Sequence, residues 1–134
     1  MIRLSRSFYN GIIDHARQEA PRECCGLLGG RDYEVECAYR ITNTEPGVTR
    51  YLMDAEEQFR AFRDLDERGL ELVGIYHSHP ATQAYPSQTD TSLAFYPDSV
   101  YLICSLQVPE QPIVRAFRIL DGEIQEIPID ITEK

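Results

Sequence analysis

The segment Leu70-Glu71-Leu72-Val73-Gly74-Ile75-Tyr76-His77-Ser78-His79-Pro80 constrains the chain more than any other stretch. It is β-rich and is stopped by a proline, so it reads as a strand. On a strand, residues i and i+2 project from one face with their Cα atoms about 6 to 7 Å apart. His77 and His79 therefore share a face, and two imidazoles so placed can converge on one ion. They can equally be two polar residues facing solvent on a half-buried strand, and the pair alone leaves both readings open.

The flanking sequence mixes helix and strand signals. Residues 7–20 put Phe8, Ile12, Ile13 and Ala16 on one helical face, with Asp14, Arg17 and Glu19 on others, and Pro21 stops the run. Residues 24–29 and 33–41 read as a hairpin joined by the turn signal Gly29-Gly30-Arg31-Asp32. After a polar loop holding Pro46 and Gly47, Asp54 and Glu57 form a capping-box-like start for a helix reaching about Arg68. Phe59, Phe62 and Leu65 share a face of that helix, and Gly69 ends it. A loop then enters a short helix near Ser87 that Pro97 closes. Residues 100–108, 113–120 and 123–127 read as strands, the last two joined by the Asp121-Gly122 turn. No strict βαβα rhythm appears, which predicts an α+β or mixed α/β fold, a mixed β-sheet flanked by helices.

With 134 residues and no repeat or linker, residues 1–134 are expected to form a single domain. A barrel needing about 250 residues is excluded. Acidic residues number 22 against 13 basic ones, a net charge of −9, which repels phosphate backbones and anionic lipid surfaces. No basic patch offsets it, so neither nucleic acid nor membrane is an expected partner. No run approaches the ~18 apolar residues of a membrane span. The opening residues lack a signal-peptide core, and a cytoplasmic location is expected. Cys24, Cys25, Cys37 and Cys104 include no CxxC pair. The vicinal two read as reduced packing residues pointing to opposite faces of a strand.

A catalytic zinc usually takes three protein ligands and leaves one tetrahedral position to water. Asp90, in Pro86-Ser87-Gln88-Thr89-Asp90, follows His79 by 11 residues, across a loop long enough to fold back over the strand end. Ser87 and Asp90 also read as a plain N-cap with an acidic first turn. Other HxH chemistries fit less well. A metallo-β-lactamase-like site wants HxHxDH where Pro80 and Ala81 stand, and the amidohydrolase pair needs a barrel. A cupin wants further ligands in an all-β chain, and the remaining histidine, His15, reads as a surface or helix-face residue. The nucleotide deaminase pattern of HxE with PCxxC is missing.

His77-x-His79-Pro80, then Ser87 and Asp90, with Glu23 far upstream, resembles the JAMM (MPN+) family of zinc metalloproteases at every motif position. Pro21-Arg22-Glu23-Cys24-Cys25-Gly26-Leu27-Leu28-Gly29 is similar to that family's Glu-bearing strand, and the resemblance spans about residues 5–106. It implies a single MPN-like, cytidine-deaminase-like domain of the small prokaryotic type. By the same resemblance one zinc ion per chain is held by His77, His79 and Asp90. Glu23 is then the general base and acid, and Ser87 steadies the oxyanion. Nothing in the residues alone would single out Glu23 among the acids.

The implied activity is that of a zinc metallopeptidase (a hydrolase). It would cleave peptide or isopeptide bonds after the C-terminal Gly-Gly tail of a ubiquitin-like or sulfur-carrier protein. A flat groove beside a sheet edge is expected to take such a tail by strand addition. Residues 80–87 leave no room for the long insertions of eukaryotic deubiquitinases, which favours a simpler, prokaryote-type substrate. The other readings are a non-catalytic MPN-like scaffold, which predicts a damaged motif, and a phage or peptidoglycan-type peptidase of the same family. Residues 107–134 carry no motif.

Overall fold

A computed structural model describes residues 1–133. In chain order its elements are β1 (Ile2–Ser5), α1 (Arg6–Glu19), β2 (Cys25–Arg31), β3 (Glu34–Ile41), α2 (Ala55–Arg68), β4 (Glu71–His79), α3 (Gln88–Ser92), β5 (Val100–Ser105), β6 (Ile113–Leu120), β7 (Glu123–Ile127) and β8 (Ile129–Thr132). The strands form one 8-stranded mixed sheet in the order β7-β6-β5-β4-β2-β3-β1-β8. β4, the histidine strand, is interior, antiparallel to β2 and parallel to β5. Only Pro128 separates β7 from β8, although they lie at opposite ends of that order. One extended stretch thus pairs first with β6 and then, from Ile129 onward, with β1, so the two edges of the sheet are tied to one another.

The helices cover the two faces. Ile12 and Ala16 of α1 pack with Cys24, Leu28, Tyr76 and Leu102. Ala61 and Phe62 of α2 pack on the other face with Leu27, Ile75 and Ile103. Sheet residues covered on both faces need apolar side chains throughout, which is why β2, β4 and β5 are almost continuously buried. Cys24 and Cys25 fall into opposite clusters, and both are free thiols.

The caps of α2 lie where the sequence puts them, with Asp54 accepting from the Glu57 amide and Gly69 left-handed at φ 66°. The reciprocal half of the expected box is absent, because the Glu57 carboxylate accepts from the Thr42 amide instead (2.8 Å). The β2–β3 turn is also displaced. The chain reverses at Asp32 and Tyr33, at φ 52° and 60°. Tyr33 is held there by its hydroxyl, which donates to the Asp98 carbonyl (2.7 Å), and by the Arg118 guanidinium over its ring.

Gly29 and Gly30 lie inside β2 and serve close packing. A Cβ on Gly29 would stand 2.2 Å from Leu65 Cδ2, and one on Gly30 would stand 1.8 Å from the Glu34 carbonyl oxygen. The second clash is with backbone and cannot be relieved by a rotamer. Gly30→Ala is therefore expected to cost about 3 kcal/mol of unfolding free energy, measured as a lowered urea midpoint.

His15, expected as a surface or helix-face residue, lies on α1 but on its buried face. It is 6% exposed, and its Nδ1 shares a 2.7 Å hydrogen bond with the Tyr76 hydroxyl across the core. Burial, aided by Arg40 and opposed by Glu19, pushes the imidazole below its ordinary value of 6.5. The folded chain thus resists a proton that the unfolded chain accepts. His15 costs no stability above about pH 6.5 and an increasing amount below it. Wild type should lose more melting temperature than His15→Gln between pH 7.5 and pH 5.5, and parallel losses would contradict this.

Candidate metal centre

β4 ends with side chains alternating between the two layers. Ile75 belongs to the α2 layer and Tyr76 to the α1 layer, so His77 and His79 emerge on the α2 side while Ser78 points away. Ser78 is fully buried and extends the β2–β4 pairing past Cys25. The Cys24 amide donates to its Oγ (2.8 Å), and the Ser78 amide donates to the Cys24 carbonyl (3.2 Å). This fixes the backbone next to Glu23 beside the end of the histidine strand.

Asp90 arrives from α3. The Asp90 amide donates to Ser87 Oγ (3.0 Å), and the Ser87 amide donates to Asp90 Oδ2 (2.9 Å), a complete capping box. The same Oδ2 lies 3.1 Å from His77 Nε2 and 3.0 Å from His79 Nε2, which are 3.2 Å from each other. The sequence-predicted ligand trio is thus brought together, with Asp90 aimed by its own helix cap. Ser87 is exposed, and Glu23, 4% exposed, is near enough to feel the charges of His79 and Asp90. Glu23 Oε1 has no hydrogen-bond partner among the described residues.

The donor set suits a small divalent cation. His79 Nδ1 lies 2.8 Å from the Gln83 carbonyl, an acceptor only, so Nδ1 carries the proton and Nε2 can turn a lone pair inward. His77 Nε2 faces the same point, so with its proton on Nδ1 two imidazole nitrogens and a carboxylate oxygen would converge as acceptors. Tetrahedral zinc ligands at ~2.0 to 2.1 Å stand about 3.3 Å apart, close to the spacings found here.

The electrostatics follow from crowding these groups in a buried place. In the metal-free protein burial opposes ionisation of Asp90, but hydrogen bonds that its carboxylate accepts from protonated Nε2 of His77 and His79 outweigh it and hold its carboxyl well below the usual carboxylate range. Burial alone would lower His79, and its contacts with Asp90 and the Gln83 carbonyl reverse that and raise it. Glu23 is pushed up to about 7 by burial, with His79 pulling it down and Asp90 adding to the rise.

Beside the centre lies a cavity of about 310 Å³ lined by Leu27, Tyr51, Ile75, Leu93, Phe95 and Tyr101, with Asp90 at its wall. The expected groove beside a sheet edge is not what adjoins the site, because β4 is paired on both sides and the cavity is walled by loops, α3 and strand faces.

A family model described as prokaryotic homologs of the JAB domain matches residues 5–120. The chain belongs to this family. Among characterised relatives it is 39% identical over 127 residues to the CysO-cysteine peptidase of Mycobacterium tuberculosis, an overlap covering 93% of this chain and 87% of the relative. It is also 39% identical over 104 residues to the desampylase of Haloferax volcanii, covering 72% and 74% of the two chains. A protein of Desulfitobacterium hafniense with a known solution structure superposes with a TM-score of 0.90 at 39% identity, covering 100% of this chain and 94% of that one. The domain is thus a JAB/MPN-type fold with a mixed sheet and three helices.

The sequence does not single out Ser78, Tyr51 beside the His77 ring, or Asn43, whose side chain bonds the backbone on both sides of Tyr51. Ser78 was legible in principle, since alternation sends it away from the histidines. Asn43 and Tyr51 lie in an irregular loop that carries no periodic signal.

Proposed function

We propose that this protein is a zinc-dependent peptidase of the JAMM type. It hydrolyses the peptide or isopeptide bond that follows the C-terminal Gly-Gly tail of a ubiquitin-like or sulfur-carrier protein. The observation that carries this reading is the convergence of His77 Nε2, His79 Nε2 and Asp90 Oδ2 within 4.8 Å of one another, near the buried Glu23, whose Oε1 has no hydrogen-bond partner among the described residues. The names of the relatives, a CysO-cysteine peptidase and a desampylase, support a peptidase of conjugated carriers.

In this reading His77, His79 and Asp90 hold one zinc ion per chain. When bound, the ion supplies Lewis-acid polarisation of the scissile carbonyl and a water acidified towards pKa ~7. Glu23 takes the proton of the attacking water on its carboxylate and returns it to the leaving amine. Burial suits it to both tasks, since a base that must also serve as acid works best with a pKa near the working pH. Ser87 Oγ accepts the Asp90 amide, so its own hydrogen is free to donate to the developing oxyanion. The largely apolar cavity beside Asp90 offers an extended, side-chain-poor tail a place to bind next to the centre.

Ser87→Ala separates two roles of one side chain. Loss of the oxyanion donor is expected to lower kcat about 10²- to 10³-fold. Loss of the cap costs about 1 kcal/mol of stability. Steady-state kinetics and thermal melts of the same preparation read the two effects, and unchanged kcat would remove Ser87 from the chemistry.

A non-catalytic scaffold would have no use for a complete motif around a buried, unpartnered acid. We further propose residues 1–134 as one domain acting in the cytoplasm. Among the described residues no helix is long and apolar enough to cross a membrane. Metal analysis tests the centre. About one zinc per chain is expected in protein purified without chelators, and none after Asp90→Asn.

A further inference from the structure

Metal-binding histidines generally donate their second ring N–H to an acceptor, which fixes the tautomer and the orientation of the ring. His79 follows this pattern through the Gln83 carbonyl. His77 does not. Its Nδ1 is buried and has no hydrogen-bond partner among the described residues. The ring is instead covered by Tyr51, whose ring centroid lies 4.7 Å away with the two planes 31° apart. On its other contact the His79 ring meets it edge-on at 5.0 Å.

Tyr51 is itself clamped. The side chain of Asn43, 5% exposed, reaches both of its neighbours in sequence. Asn43 Oδ1 accepts from the Leu52 amide (2.9 Å), and Nδ2 donates to the Arg50 carbonyl (3.5 Å). The same Nδ2 donates to the Glu23 carbonyl (2.9 Å). Arg22 donates to the Asn43 carbonyl (2.7 Å) and also to that of Glu45. One buried amide therefore registers the loop carrying Tyr51 against the backbone carrying Glu23.

We propose that Tyr51 is a positioning residue for His77. Its ring, tilted against the imidazole and anchored through Asn43, does the orienting that a hydrogen bond donated by Nδ1 performs elsewhere. The inference rests on the reading of His77 as a zinc ligand. An orientation enforced by an aromatic face needs the face and not the phenol. Tyr51→Phe should therefore behave as wild type, and Tyr51→Leu should not. Because the ring acts on the ligand, the effect should appear in metal affinity before any substrate is added.

The test is zinc affinity by competition with a chromogenic chelator, together with the visible spectrum of the cobalt-substituted protein. Both are measured on the full chain, with folding checked by circular dichroism. Tyr51→Leu should bind zinc about 10- to 100-fold more weakly than wild type and show an altered cobalt spectrum. Tyr51→Phe should stay within about twofold of wild type and keep its spectrum. Should Tyr51→Leu fail to fold, Tyr51→Met, which fills the space with a flexible side chain lacking an aromatic face, is read in its place.

Unchanged zinc affinity in the Leu or Met variant overturns the proposal, even if cleavage slows, since Tyr51 would then be only a wall of the substrate cavity. A Tyr51→Phe as weak as Tyr51→Leu also overturns it, by assigning the effect to the hydroxyl. Failure of the underlying reading looks different, because wild type and all variants would then take up no zinc.

Discussion

Glu23→Gln is expected to lower turnover of a Gly-Gly-extended carrier by about 10²- to 10⁴-fold while the protein keeps its zinc. The substitution keeps the shape of the side chain and removes its ability to take a proton. It should leave the surroundings intact, because the backbone next to Glu23 is fixed by others. Cys24 pairs with Ser78, and the Glu23 carbonyl accepts from Asn43. A zinc-loaded Glu23→Gln that cleaves as fast as wild type would exclude Glu23 as the base.

The same substitution has a signature in the metal-free protein. Burial raises the Glu23 carboxyl from 4.5 to about 7, so the folded state holds a proton that the unfolded state has already released. Its contribution to stability is full below about pH 4.5 and is lost as the pH rises through about 7. Metal-free Glu23→Gln should therefore melt progressively higher than metal-free wild type as the pH is raised from 4.5 to 7. A constant difference across that range would contradict the assignment of the raised value to Glu23.

The second large effect is expected at Asp90. In Asp90→Asn the amide oxygen can still accept from the Ser87 amide, so the cap of α3 survives. The anionic donor facing both histidines is gone. Zinc uptake should fall from about one equivalent to none after dialysis, and activity with it to background, a larger loss than Glu23→Gln produces. Full zinc occupancy and undiminished turnover in a folded Asp90→Asn would remove the carboxylate from the ligand set.

Local physics made much of this molecule legible. Asp54 and Gly69 mark the ends of α2 because a cap and a left-handed glycine are properties of a few consecutive residues. The shared face of His77 and His79 follows from strand alternation alone. What stayed hidden lies in contacts between distant parts of the chain. His15 reads as a helix-face residue until Tyr76, 61 positions away, is seen to receive it. β1 and β8 are 4 residues each, too short for a pattern, and gain their place by pairing the start of the chain with its end. Glu23 is one of 22 acidic residues, selected only by family resemblance until its burial, and an Oε1 with no partner among the described residues, set it apart. Gly29 and Gly30 mimic a turn signal because close packing and tight turns call for the same missing side chain.

The most direct test of the account is mass spectrometry of a ubiquitin-like sulfur carrier extended by one residue past Gly-Gly, incubated with this protein. Cleavage after the second glycine is predicted, abolished by a chelator that strips the metal and restored by added zinc. A carrier left intact by zinc-loaded protein across a panel of such substrates, or cleavage that continues undiminished after the metal has been stripped, would contradict it.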